Sequence, residues 1–169
     1  MKTQKLLVIA AIVCLLVGAL AGAAMAELNG CGDDGVLKDE VFNNNLRITG
    51  DEPCVIIGCT IQGDIRAINL PYVLLINNRV TGIIRVDGNA GEGVANVIAN
   101  TVLGDKIVVR DNEVAYVLEN DAVTGDILVK FNIKAFVQKN IAAQDIQCIE
   151  NTALDASRNL AGGDLNTCN

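Results

Sequence analysis

Residues 100–112 read NTVLGDKIVVRDN, and residues 120–132 read NDAVTGDILVKFN. Each stretch sets a Gly-Asp between two Asn residues and flanks it with short β-branched runs. The same phrase extends in both directions. Anchored on the Gly that follows an apolar-x pair, it recurs at Gly63, Gly82, Gly104, Gly125 and Gly163, with Gln144 in the fifth position. The spacings are 19, 22, 21, 19 and 19 residues. Two residues before each anchor stands an apolar side chain: Ile61, Val80, Val102, Val123, Ala142 or Ala161. Four before it runs a polar column of Asn78, Asn100, Asp121, Asn140 and Asn159, preceded by Cys59. A second Asn column follows the second apolar run, at Asn69, Asn89, Asn112, Asn132 and Asn151.

A period near 20 residues marks a solenoid. The runs between the polar columns are three to four residues long and rich in Val and Ile, which suit a pleated surface. Leu is too scattered for a leucine-rich repeat, and helix formers do not cluster. Asn and Gly-Asp fall where the chain must turn. The spacing therefore predicts an all-β fold, a single-stranded parallel β-helix of about six coils with a period of about 19–22 residues. Right-handed coiling follows from strand twist. Stacking places like above like, so the Asn columns are expected to form structural ladders of Asn78, Asn100, Asp121, Asn140 and Asn159, hydrogen-bonded to one another and to turn backbone. The anchor Gly is expected to supply positive φ at a corner.

The first 26 residues have the form of a secretion signal. Lys2 and Lys5 precede the apolar run 6–22, and Ala24-Met25-Ala26 has the small-x-small form of a cleavage site. The competing reading is a retained N-terminal anchor. Cleavage before Glu27 leaves 143 residues, enough for one domain with a core. The expected organisation is a signal at 1–26, an N-terminal cap segment at 27–45 and the β-helix at 46–169. Within the cap, residues 35–45 (GVLKDEVFNNN) are expected to form a short helix covering the first coil. The exported chain belongs in a periplasm, at a cell surface or outside the cell.

Charge narrows the partners. Without the signal the chain carries 20 acidic and 11 basic residues, a net charge of −9. That argues against nucleic acid and against an anionic membrane surface after cleavage. The chain has no His, which excludes imidazole catalysis and His-ligated metals. Five Cys follow the signal, and an exported chain uses them as disulfide partners. Cys148 and Cys168 fall at neighbouring positions of stacked coils, and their bond would pin the last coil. Cys31 would pin the first coil through Cys54 or Cys59, with Cys54 preferred.

The phased N-x-V-x-G-D-I and V-x-x-N pattern, over roughly residues 55–165, resembles the parallel β-helix repeats of the pectate-lyase-like superfamily. The resemblance is to a repeat type. It implies the architecture and admits polysaccharide lyases and hydrolases, adhesins and exported proteins without activity. In the enzymes of that superfamily, Asp ligands and an Arg or Lys base sit on the outer face of middle coils. Arg66, Arg85, Lys106 and Arg110 match that placement. The bland reading of these residues is a solvated face.

Three further features were weighed. Asp64, Asp105, Asp126, Asp145 and Asp164 follow the anchors. Stacked carboxylates about 5 Å apart repel one another, and Ca²⁺ at Asp105, Asp126 and Asp145 would relieve that. The alternative is a column of turn acceptors in solvent, and no other cofactor is expected. The loop at 87–93 (DGNAGEG) gives the longest coil, either as a groove wall or as a surface insertion. Tyr72, Tyr116 and Phe136 are expected to point inward. The C-terminus lacks any evident cap, so end-to-end addition of a second copy, as a homo-oligomer or filament, is expected to compete with a tail that folds over the end.

Two functions fit. The first is an exported, non-catalytic β-helix with a structural, cell-surface or adhesion role, self-associating end to end. The alternative is a carbohydrate-binding or polysaccharide-degrading protein on the same scaffold.

Overall fold

The computed structural model describes residues 26–29, 31, 34–88 and 92–168. The expected signal lies outside these residues except for Ala26, and so does Asn89 of the second Asn column. The described chain is a right-handed parallel β-helix of about seven turns, without helix. Three parallel sheets enclose one core. The first sheet has eight strands: Ala26–Asn29, Leu46–Thr49, Ile65–Ile68, Ile84–Asp87, Lys106–Arg110, Asp126–Lys130, Ile146–Ile149 and Leu165–Asn166. The second has seven: Val36–Lys38, Cys54–Ile57, Tyr72–Ile76, Val94–Ile98, Val114–Leu118, Lys134–Gln138 and Ala153–Ser157. The third has seven short strands: Val41–Phe42, Thr60–Ile61, Arg79–Val80, Thr101–Val102, Asp121–Ala122, Ile141–Ala142 and Leu160–Ala161.

Alternation within each strand decides which residues face inward. Leu46, Ile65, Ile84, Ile107, Ile127 and Ile146 stack as one fully buried column. Ile56, Leu75, Val97, Val117 and Val137 form another opposite them. Each coil alone could bury little. Stacking removes both faces of every inward side chain from water, at about 25 cal/mol per Å².

The turns are built from two repeated devices. Between the second and third sheets one residue per coil adopts a left-handed conformation: Asp39, Gly58, Asn77, Ala99, Glu119, Lys139 and Arg158. Between the first and second sheets Asn69, Asp111, Phe131, Glu150 and Thr167 do the same. A non-glycine residue there costs about 1–2 kcal/mol. Where an Asn follows, it enters a buried ladder. Asn78 N–H donates to Asn100 Oδ1 at 3.0 Å, Asn100 to Asn120 at 3.0 Å, Asn120 to Asn140 at 3.0 Å, and Asn140 to Asn159 at 3.1 Å. The side-chain amides repeat the bond to the same oxygens and reach a carbonyl one coil earlier. Asn112, Asn132 and Asn151 form a second ladder at the other corner, with N–H to Oδ1 distances of 3.0 and 3.1 Å. Asn69 stands at the left-handed position and is not a ladder member.

Four expectations are corrected. The ladder member in the 120s is Asn120, and Asp121 is an outward residue of the third sheet paired with Thr101 and Ile141. The turn after that strand takes one extra residue in the two coils from Val102 to Ile127, so alignment on glycine slips by one where the Asn and apolar columns hold register. Residues 35–45 form no capping helix. Val36–Lys38 and Val41–Phe42 are strands of the second and third sheets, with Asp39 left-handed between them, so the β-helix begins before Leu46. The anchor glycines do not have positive φ. A Cβ on Gly104 or Gly125 would instead overlap the backbone carbonyl of Gly82 or Asp105 in the preceding coil. Finally, Tyr72, Tyr116 and Phe136 face outward, because their neighbours Val73, Ala115, Val117, Ala135 and Val137 take the inward positions.

Candidate functional site: a basic strip on the first sheet

The outer face of the first sheet gathers most of the positive charge. Arg47, Arg66 and Arg85 lie in register on three consecutive strands. Arg110 and Lys130 continue the adjacent column, in register with Asp87 and with each other. Outward positions of a parallel sheet recur at every coil, about 4.8 Å apart, so like charges must be neutralised locally. Asp87 does this for two of them. Its oxygens accept from Arg85 Nε at 2.7 Å and from Arg110 Nε at 2.6 Å, and its side chain is 14% exposed. The Asp87 hydrogen bond raises the pKa of Arg110, so its guanidinium stays charged throughout the working range. Asp64 Oδ2 accepts from Arg66 at 3.0 Å while its Oδ1 accepts the N–H of Ile83 at 3.1 Å. Lys106 pairs with Asp105 at 3.0 Å. Two shallow depressions meet at Arg85, one lined by Arg47, Arg66 and Asp87, the other by Lys106, Arg110 and Lys130.

The four basic residues singled out in the sequence, Arg66, Arg85, Lys106 and Arg110, thus come together on one face. Arg47 and Lys130 join them. Arg47 lies 19 residues before Arg66, as Arg66 does before Arg85, and that interval was the available signal. A row of guanidinium groups with planar donors suits carboxylates or sulfates of a linear polymer.

The Asp residues do not form one continuous column. Asp126 Oδ1 accepts the N–H of Asp145 at 3.0 Å, and Asp145 Oδ1 accepts that of Asp164 at 2.8 Å. Gln147 donates to the other Asp145 oxygen at 3.2 Å. Lys106, not Asp105, is in register with Asp126. Asp105 is 66% exposed and held by Lys106. Among the described residues, no three acidic or Cys side chains converge on a metal-sized site.

Disulfides sit near both ends. Cys31 is joined to Cys54 and Cys148 to Cys168, with Cα separations of 5.0 and 5.4 Å. Their presence fits an oxidising compartment. Cys59 is free and buried in the core, and desolvation raises its thiol pKa. The Cys168 carbonyl accepts from Asn159, so the tail touches the end of the ladder. No protein-family model, curated protein or solved structure matches the chain.

Proposed function

We propose that the chain is an exported, non-catalytic β-helix with a structural, cell-surface or adhesion role, self-associating end to end. The observation that carries this reading is the last coil. Strand Ala153–Ser157 pairs with Lys134–Gln138 and, among the described residues, has no strand beyond it. Leu154 holds an inward position in register with buried Ala135, yet is 38% exposed. Ala156, Ala161 and Leu165 are only partly buried. A rigid strand edge with its core open is a template for another strand. The first coil of a second copy, starting at Val36–Lys38, supplies one in the same parallel sense. The polar chemistry agrees with a scaffold role, since both Asn ladders and most Asp side chains of the turns are engaged in joining coils.

The test uses the full chain recovered after export, without reductant, by negative-stain imaging and light scattering. One chain of seven coils is about 34 Å long at the parallel-strand spacing. Rods several times that length are expected, and Leu154→Lys should shorten them to single units. Wild-type particles that stay at the length of one chain would end the proposal.

A second reading rests on the Arg47, Arg66 and Arg85 register and on the resemblance to pectate-lyase-like repeats. The basic strip would bind an acidic polysaccharide. Binding that is lost in Arg85→Ala supports it, and a wild-type protein that binds no acidic polysaccharide removes it.

A further inference from the structure

The second sheet carries a different surface on its outer face. Five consecutive strands, Tyr72–Ile76 through Ala153–Ser157, are each five residues wide and strictly in register. The central outward column reads Val36, Val55, Leu74, Asn96, Tyr116, Phe136 and Asp155. Tyr116 and Phe136 stack with ring centroids 4.8 Å apart and planes 7° apart. The flanking columns are apolar too, with Ile57, Ile76, Ile98 and Leu118 on one side. Tyr72, Val94 and Val114 lie on the other. From strand Cys54–Ile57 to strand Val114–Leu118 no charged side chain faces outward on this sheet. On a chain of net charge −9, that is an unusual place to leave charge out.

We infer that this face is the interface of a lateral dimer, with a second copy of the chain as its occupant, related by a two-fold axis through Asn96. Three observations select a second copy. The first is size. Five strands about 4.8 Å apart and five residues of about 3.3 Å give a face of roughly 24 by 16 Å. With side-chain relief that is about 500 Å² per copy, and two copies together reach the roughly 1,000 Å² at which specific interfaces begin. The second is charge. Two strongly acidic rods repel wherever acidic side chains meet, and this uncharged sheet lets them approach. The third is symmetry. Asn96 is the midpoint of the seven-residue central column and the one polar residue in the apolar area. A two-fold axis along the strand direction at Asn96 sets the rods antiparallel. Leu74 then meets Tyr116 of the other copy, Val55 meets Phe136, and Asn96 meets Asn96. The lone amide finds a self-complementary partner, as buried polar groups require. Alanine or a charge at Asn96 would not be selected by a partner of another kind in this way.

The lateral dimer closes at two copies and does not depend on end-to-end addition. The two are separated by using both the wild-type chain and Leu154→Lys, in which the end is blocked. Light scattering of exported full-length Leu154→Lys should give the mass of two chains. Adding Leu74→Lys, which buries two like charges opposite the Tyr116 and Phe136 rings, should raise the dissociation constant about 100-fold or more and give monomers. The circular dichroism and melting temperature should stay those of the parent, since Leu74 faces outward. Phe136→Lys gives the same readout from the facing side should Leu74→Lys not fold. Independently, Asn96→Cys should form a disulfide-linked dimer on mild oxidation, because the two-fold brings that residue against itself. A Leu154→Lys chain that is monomeric at tens of micromolar overturns the interface. So does a Leu74→Lys chain that remains dimeric. An oxidised Asn96→Cys dimer that fails to cross-link overturns the antiparallel two-fold.

Discussion

Replacing Asn100 by Leu tests what holds the coils in register. Asn100 is 1% exposed and makes four bonds. Its Oδ1 accepts the Asn78 N–H and the Asn78 side-chain amide, both at 3.0 Å. Its own amide donates to Leu75 O at 2.9 Å and to Asn120 Oδ1 at 3.1 Å. Leucine has nearly the same length, so it fills the space that would otherwise admit a bridging water. It leaves two donors of Asn78 without their acceptor in the core. Each unsatisfied buried group costs about 1–3 kcal/mol, which puts the penalty near 4 kcal/mol. That is a large part of the 5–15 kcal/mol available to a domain. Asn159→Leu is the control. Asn159 accepts the same pair of bonds from Asn140 at 3.1 Å, but at the half-buried end of the ladder, where water can replace it. Its loss should cost about 1 kcal/mol. Urea unfolding followed by circular dichroism, with disulfides intact, measures both. Equal penalties at the two positions, or less than 1 kcal/mol at Asn100, would refute the idea that burial makes the ladder decisive.

Other consequences follow from the turns and the core. Ala99 adopts φ 53° with no side-chain compensation, so Ala99→Gly should raise stability by about 0.5–1 kcal/mol, read as a higher melting temperature. At Gly125 a Cβ would overlap the Asp105 carbonyl, so Gly125→Ala should destabilise by about 2–3 kcal/mol despite being a surface change. Gln144 occupies the corresponding anchor in the next coil, so Gln144→Ala should be within 0.5 kcal/mol of neutral. Cys59 is buried and its pKa is raised by desolvation. Below its ordinary value near 8.5–9 it is therefore a neutral thiol. Native protein at pH 8 should resist iodoacetamide for hours, and one equivalent should react on unfolding.

The solenoid was legible because its constraints repeat. A buried amide must be satisfied in every coil, and an inward position must be apolar in every coil, so Asn78, Asn100, Asn140 and Asn159 and the Val and Ile columns carry the period. Register was less legible. Glycine marks a turn that takes four or five residues between the flanking inward side chains, so phasing on it moved the ladder from Asn120 to Asp121 and put Asp105 level with Asp126. The left-handed column was invisible, because Ala99, Glu119, Lys139 and Arg158 share a backbone conformation and no chemistry. Their φ is imposed by the Asn that follows. Residues 35–45 read as helical because Lys38, Asp39 and Glu40 interrupt the apolar alternation, whereas Leu37 and Phe42 alone carry the inward pattern of a first coil. Tyr116 and Phe136 looked like core by hydrophobicity. Strand parity decides otherwise, since Ala115 and Val117 already fill the inside. The basic strip was read in part, since Arg66, Arg85, Lys106 and Arg110 stand at fixed offsets from the anchors, while the Asp87 clamp joins side chains 23 residues apart.

The most direct measurement is the scalar coupling across the ladder hydrogen bonds, in uniformly labelled protein. In most sheets the acceptor of a backbone N–H is a backbone carbonyl. Here the Asn78, Asn100 and Asn120 nitrogens should couple to the side-chain Cγ of Asn100, Asn120 and Asn140 respectively. That chain of three couplings would fix the stacking of consecutive coils residue by residue. A coupling from Asn100 to Asp121 Cγ, or to a backbone carbonyl, would contradict the register on which the fold, the basic strip and both self-association faces depend.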